Sequence, residues 1–297
     1  MVALMKTDTN ATAQSTVQDY FNLLKPRVMT LVVFTGICGM ILAPNSDAMH
    51  PFLMLIAIMA LAIGAGASGA INMWYDRDID AIMNRTKDRP IPAGRVPAAE
   101  GLTFAIVFCV FSVLVMALAV NYMAAGLLAF AIFFYAVIYT MWLKRSTPQN
   151  IVIGGASGAF PPMIGWAAVT GDVSIDSIIL FAIIFFWTPP HFWALSLYAN
   201  EDYKRANIPM LTVTHGDKHT KIQMVIYTLI LFPLCLAPVY TGMAGINYGI
   251  AAIILNALFI LSAVQTFKET DGYKSARRMF GYSIFYLFAI FTALVLF

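Results

Sequence analysis

The chain has 297 residues, of which 60% are hydrophobic and only 11% charged, with a mean hydropathy of +0.78. That balance excludes an ordinary soluble domain. The net charge of +3 says little by itself, and nothing in the chain points to a nucleic-acid partner.

Residues 1–19 are polar and rich in Ser, Thr, Asn and Gln, with no cleavable signal peptide, and they read as a disordered tail. Residues 20–297 read as one all-α, polytopic membrane domain. Lys25, Pro26 and Arg27 form an interfacial lead-in to the first span. Spans are expected at roughly 28–44, 51–71, 101–120, 123–143, 150–170, 175–197, 222–241, 247–266 and 279–297. Nine spans put the termini on opposite sides.

All 18 Lys and Arg residues fall in the N-terminal lead or in the segments after the second, fourth, sixth and eighth spans. The intervening connections carry only acids, such as Asp47, Asp172 and Asp176. By the positive-inside rule, the N-terminus and the long loops face the cytoplasm and the C-terminus the opposite side. Cys38, Cys109 and Cys235 are scattered inside apolar runs without metal-ligand spacing and read as small buried hydrophobes.

The densest charge lies after the second span, in NMWYDRDIDAIMNRTKDRPIPAGR from Asn72 to Arg95. Asn72, Asp76 and Asp80 recur every four residues. On a helix each such step rises about 6 Å and turns about 40° past a full turn, so the three share a face and Asp78 points away. An amide and two carboxylates stacked in this way offer the hard oxygen surface that suits Mg2+ held together with substrate phosphates. Arg85 and Arg89 follow closely, and Lys144 and Arg145 end the fourth span, supplying donors for a phosphate. A solvated loop that anchors topology would explain the arginines but not the spacing of the oxygen ligands. An EF-hand loop fails, because its sixth and twelfth positions hold Ala81 and Lys87.

A second long loop, after the sixth span, again opens with acids, Glu201 and Asp202. The two acid-bearing loops lie four spans apart, which suggests a duplicated four-helix unit. Within the sixth span, Pro189 and Pro190 predict irregular backbone beside His191. That histidine fits two readings: a hydrogen-bonded structural side chain at a kink, or a substrate contact or iron ligand at a cavity wall. The fifth span, NIVIGGASGAFPPMIGW, is rich in small residues and predicts close helix packing, with room beside it for a flat ligand.

The pattern Asn72-x-x-x-Asp76-x-x-x-Asp80 at the cytoplasmic end of the second of nine helices resembles the UbiA-type membrane prenyltransferase superfamily. The likeness runs from Lys25 through the last span. KPRV at 25–28, RTKDRPIPAGR at 85–95, TPQNIVIGGASGAFPP at 147–162 and HFWALSLYANEDYKRANIPML at 191–211 resemble its haem-farnesylating branch.

The resemblance implies nine helices around a central cavity open to the cytoplasm of a bacterial inner membrane, farnesyl diphosphate and haem b as substrates, and Mg2+ as cofactor. It assigns Asn72, Asp76 and Asp80 to one metal and Asp202, with Glu201 secondary, to another. Arg85, Arg89, Lys144 and Arg145 would neutralise the diphosphate, and His191 would help to hold haem. Haem A synthase or a terminal oxidase is an implied partner for handover. Many relatives carry a second acid four residues before the position of Asp202, where this chain has Tyr198. A quinone-precursor acceptor is disfavoured by the HFWAL and NIVIGGASGAFPP stretches. A secondary transporter is disfavoured because the acids sit at helix ends rather than at the midplane. A non-catalytic haem-binding subunit would need two axial ligands, and the span interiors offer only His191.

Overall fold

The computed structural model describes residues 15–297. Most of the expected tail, residues 1–14, lies outside the described residues. Its last residues already belong to a helix: Thr16 caps α1 (Val17–Leu23), its hydroxyl accepting from the Asp19 amide while the Asp19 carboxylate accepts from the Thr16 amide.

Among the described residues, eight helical segments are long and apolar enough to cross a bilayer. They are α3 (Pro51–Tyr75), α5 (Ala98–Ala119), α6 (Tyr122–Phe133) continued by a π-helix (Phe134–Leu143), α7 (Asn150–Gly154) with α8 (Ala156–Thr170), α9 (Ile175–Tyr198), α12 (Gly216–Thr241), α13 (Ile246–Lys268) and α14 (Lys274–Leu296). Helices α1 and α2 (Pro26–Leu42) pass the same test together, with a bend of 52° between them, and make a ninth where the bent pair counts as one span. The chain is thus an integral membrane helix bundle, and the spans fall where the apolar runs predict. Several ends run further than expected, with α3 and α9 reaching Tyr75 and Tyr198 and α12 and α14 beginning at Gly216 and Lys274. Backbone hydrogen bonding continues past the apolar stretch, and long Lys and Arg side chains are tolerated at interfacial helix ends. The short helices α4 (Arg77–Ile82), α10 (Asn200–Arg205) and α11 (Leu211–Thr214) lie in the two acid-bearing loops.

Successive spans are neighbours in space, and α14 returns to pack on both α9 and α2, closing the ring. The first five spans share one apolar core around Leu61, Met116, Leu128 and Ile164, and the last four share most of another around Trp193, Leu231, Phe259 and Tyr286. The two cores meet where α9 packs on α8 and α14 on α2, and within the first of them α2 crosses α8 closely. A Cβ on Gly39 would overlap the Pro162 carbonyl, and one on Gly165 would overlap the Gly36 carbonyl. This is the close packing expected of the small residues in the fifth span.

The irregular backbone expected at Pro189 and Pro190 is absent, since α9 runs unbroken from Ile175 to Tyr198. Residues 187–191 are buried on all sides, and this packing holds the helix through the two missing amide donors.

Candidate active site

The polar residues converge at the end of the bundle that carries the long loops. The helical ladder runs from α3 across Asp76 into α4, with the Asp76 amide donating to the Asn72 carbonyl (2.9 Å) and the Asp80 amide to that of Asp76 (2.8 Å). The four-residue spacing is therefore realised in three dimensions. Asn72, Asp76 and Asp80 are all buried, whereas the Asp78 side chain is 61% exposed.

Each member of the triad meets a cation from a different element. Lys25 Nζ donates to Asn72 Oδ1 at 2.7 Å, Lys144 pairs with Asp76, and Arg89 reaches Asp80 at 2.5 Å. Arg145 grips Asp78 through two bonds of 2.7 Å and lies 3.4 Å from Asp76. Its hydrogen bonds hold the Asp78 carboxyl below its ordinary pKa of 3.8, and the same bonds raise that of Arg145. Asn72 Nδ2 donates to Asp76 at 2.8 Å and to the Thr140 hydroxyl at 3.0 Å, leaving Oδ1 aimed at the ammonium.

Local backbone decides which cations arrive. The π-helix closes with the Lys144 amide donating to the Tyr139 carbonyl, five residues back, at 2.8 Å. The wider turn helps place Thr140 and Lys144 facing α3. Lys25 sits at the α1–α2 corner in a left-handed conformation (φ 52°), and its stem runs past Gly69 toward the Tyr135 ring. A Cβ at Gly69 would lie 3.3 Å from that stem.

Arg85 is exposed, pairs with no carboxylate among the described residues, and lies within electrostatic reach of Tyr139 and Tyr198. In the second loop, Asp202 pairs with Arg205 and its side chain is 14% exposed. Glu201 pairs with Lys204 at 2.9 Å and is 80% exposed. The two loops are joined by a small apolar cap in which Ile79 and Met83 of the first meet Tyr203, Ile208 and Met210 of the second.

A model of the UbiA prenyltransferase family matches residues 32–289. The chain belongs to the UbiA prenyltransferase family. It is 54% identical over 295 residues to the protoheme IX farnesyltransferase of Agrobacterium fabrum, covering 98% of this chain and 92% of that one. It is 56% identical over 281 residues to the enzyme of that name from Rickettsia bellii, covering 95% and 93%. Among solved structures it is similar to a digeranylgeranylglyceryl phosphate synthase, with a TM-score of 0.78, 19% identity and coverage of 94% of this chain and 97% of that one. It is also similar to a UbiA homologue from Archaeoglobus fulgidus bound to GPP and Mg2+, with a TM-score of 0.66, 16% identity and coverage of 93% and 99%. At these identities the structural likeness establishes the UbiA fold alone.

Of the site residues expected from sequence, Asn72, Asp76, Lys144 and Arg145 form one side-chain network, and the Asp80–Arg89 pair joins it through the backbone of the ladder. Asp202 and Glu201 stand in separate pairs, and His191 lies deeper in the bundle. Thr140 escaped sequence reasoning altogether, and Lys25 was read only as part of the interfacial lead-in and of KPRV. The paired Gly66 and Gly69, which leave a channel for Leu24 and Lys25 along α3, were the one available hint.

Proposed function

We propose that this chain transfers the farnesyl group of farnesyl diphosphate to a vinyl group of haem b, with addition of water, giving haem o and pyrophosphate. The observation that carries the proposal is the convergence of four cationic side chains on the buried Asn72–Asp76–Asp80 ladder, at one end of an apolar bundle. The named relatives support haem as the acceptor.

The donor set fits a hard cation. Asn72 Oδ1, Asp76 and Asp80 present oxygens only, and Asn72 Oδ1 already accepts from Lys25 Nζ. Asn72, Asp76 and Asp80 would hold one Mg2+, with Asp202, and secondarily Glu201, serving a second. Bound there, Mg2+ would screen the diphosphate and lower the barrier to its departure.

In the absence of diphosphate, each buried carboxylate is neutralised by a Lys or Arg. When the anion enters, Lys144, Arg89 and Arg145 turn from carboxylate to phosphate oxygens, and Arg85 closes from the loop. The allylic C–O bond then breaks with its electron pair leaving on pyrophosphate. The vinyl π electrons of haem form the new C–C bond, and water captures the resulting cation and loses a proton. The surrounding apolar helices keep bulk water from the allylic cation before the acceptor reaches it. His191 contacts the haem from α9. The loops lie in the cytoplasm and the C-terminus opposite, in a bacterial inner membrane, with handover to haem A synthase or an oxidase. The test is to incubate the purified protein with haem b, farnesyl diphosphate and Mg2+ and to follow the porphyrin by mass spectrometry. A Mg2+-dependent gain of farnesyl plus water is expected, absent in Asp76→Ala. Prenylation of an aromatic acid in place of haem would overturn the acceptor.

A further inference from the structure

Between α9 and α14 lies a second polar feature, separate from the acid cluster. Trp187, His191 and Tyr198 follow spacings of four and seven and so share a face of α9. Arg277, Phe280 and Ser283 follow one another every three residues along α14. The His191 ring is stacked between Trp187 (centroids 4.4 Å apart) and Phe280 (4.7 Å). Ser283 clasps the two helices, since its carbonyl accepts from Trp187 Nε1 at 2.9 Å and its Oγ lies 2.6 Å from His191 Nδ1.

The direction of that last bond follows from proton counting. The Ser283 hydroxyl has one hydrogen and donates it to the Phe280 carbonyl at 2.7 Å. With the hydrogen placed there, Oγ accepts from His191 Nδ1, and Nε2 presents its lone pair. Both ring faces and Nδ1 are covered, and Nε2 has no hydrogen-bond partner among the described residues. Phe192 also packs edge-on against the ring, with centroids 5.1 Å apart, and His191 as a whole is 8% exposed. An imidazole with one nitrogen protonated and oriented and the other bare is a metal ligand held ready.

Toward the loop end of the bundle, Phe280 packs edge-on against Tyr198 with centroids 6.2 Å apart, and the Arg277 guanidinium lies 4.3 Å over the Tyr198 ring. Arg277 pairs with no carboxylate among the described residues. It stands six residues from Ser283, about 9 Å along the helix. A flat ligand with a central metal ion and carboxylates on one edge matches this order of imidazole, aromatic rings and free guanidinium.

We propose that the face between α9 and α14 seats the porphyrin acceptor, with His191 Nε2 on the iron, Ser283 fixing the tautomer as a positioning residue, and Arg277 receiving a propionate. This rests on haem being the acceptor. It adds the residues that hold haem and the end of the ring that faces the loops.

The test uses the full chain in detergent, titrated with haem b without prenyl donor, and reads the iron–histidine vibration of the ferrous complex by resonance Raman together with the haem affinity. Wild type should show the band. His191→Gln, checked for folding by thermal melting, should lose it, and added imidazole should restore axial ligation. Ser283→Ala should shift and broaden the band, and Ser283→Thr should return it. Arg277→Met should leave the band unchanged and weaken haem binding about tenfold, a difference that vanishes for the dimethyl ester of haem. A band that persists in folded His191→Gln, or an Arg277→Met deficit equal for haem and its ester, would overturn this seat while leaving haem as the acceptor. Failure of wild type to bind haem at all would overturn both readings.

Discussion

The two acid-bearing loops look alike in sequence and are built differently. At the end of α3, Asp76 is wholly buried, and the cations that neutralise it, Lys144 and Arg145, come from 68 and 69 residues away. In α10, Glu201 and Asp202 pair with Lys204 and Arg205, three residues along the same helix. The first arrangement exists only once the bundle has closed, because a buried charge is tolerable only with its partner in place. The second forms within a single helical turn, and apart from Asp202 its side chains are solvated, so it contributes little to stability. One loop therefore carries structure and candidate chemistry together, whereas in the other the two are separable.

That contrast can be broken at Asp76. Asp76→Ala should lower prenyl transfer at least about a thousandfold. It should also destabilise the protein by about 3–5 kcal/mol, because Lys144 is left buried without its carboxylate. Adding Lys144→Met should recover the melting temperature without recovering activity; recovery of both would remove Asp76 from the site. Next in size, Asp202→Asn should reduce turnover about a hundredfold while changing stability by less than about 1 kcal/mol. Equal losses in turnover and stability would show the second loop to be built like the first.

Asp78 sharpens the comparison, since it lies beside the buried cluster but on its outer face. Its folded pKa is depressed by the hydrogen bonds from Arg145, so its contribution is complete above the ordinary value of 3.8 and is lost as the pH falls through the lower, folded value. Melting temperatures of wild type and Asp78→Asn should therefore differ by a constant small amount from pH 5 to 8, worth less than about 1 kcal/mol. The difference should close below pH 3.8, and a gap that widened there would reverse the sign. The smallest effect is expected at Glu201, where the exposed side chain predicts that Glu201→Gln stays within about twofold of wild type in turnover.

Much of this was legible in the chain before any coordinates. The apolar runs located the eight long spans and the bent α1–α2 pair, because a membrane helix must satisfy its backbone internally over a fixed thickness, a constraint written in local composition. The shared face of Asn72, Asp76 and Asp80 was legible for the same reason: helical periodicity is local, and Asp78 fell outside it as the spacing requires. The expected irregularity at Pro189 and Pro190 failed because their packing, set by distant helices, outweighs two missing hydrogen bonds.

What only the tertiary structure decided is who meets whom. The choice of Lys25, Thr140 and Lys144 as partners of the α3 face depends on a left-handed corner, a π-helical turn and a glycine channel. The partner of His191 Nδ1 is Ser283, 92 residues away. Such contacts are set when separate helices close on one another, and no local periodicity encodes them. The residue types and their spacing along each helix belong to the sequence. The pairing of charges across helices belongs to the fold, because in an apolar bundle an unpaired charge is too costly to leave until its partner arrives.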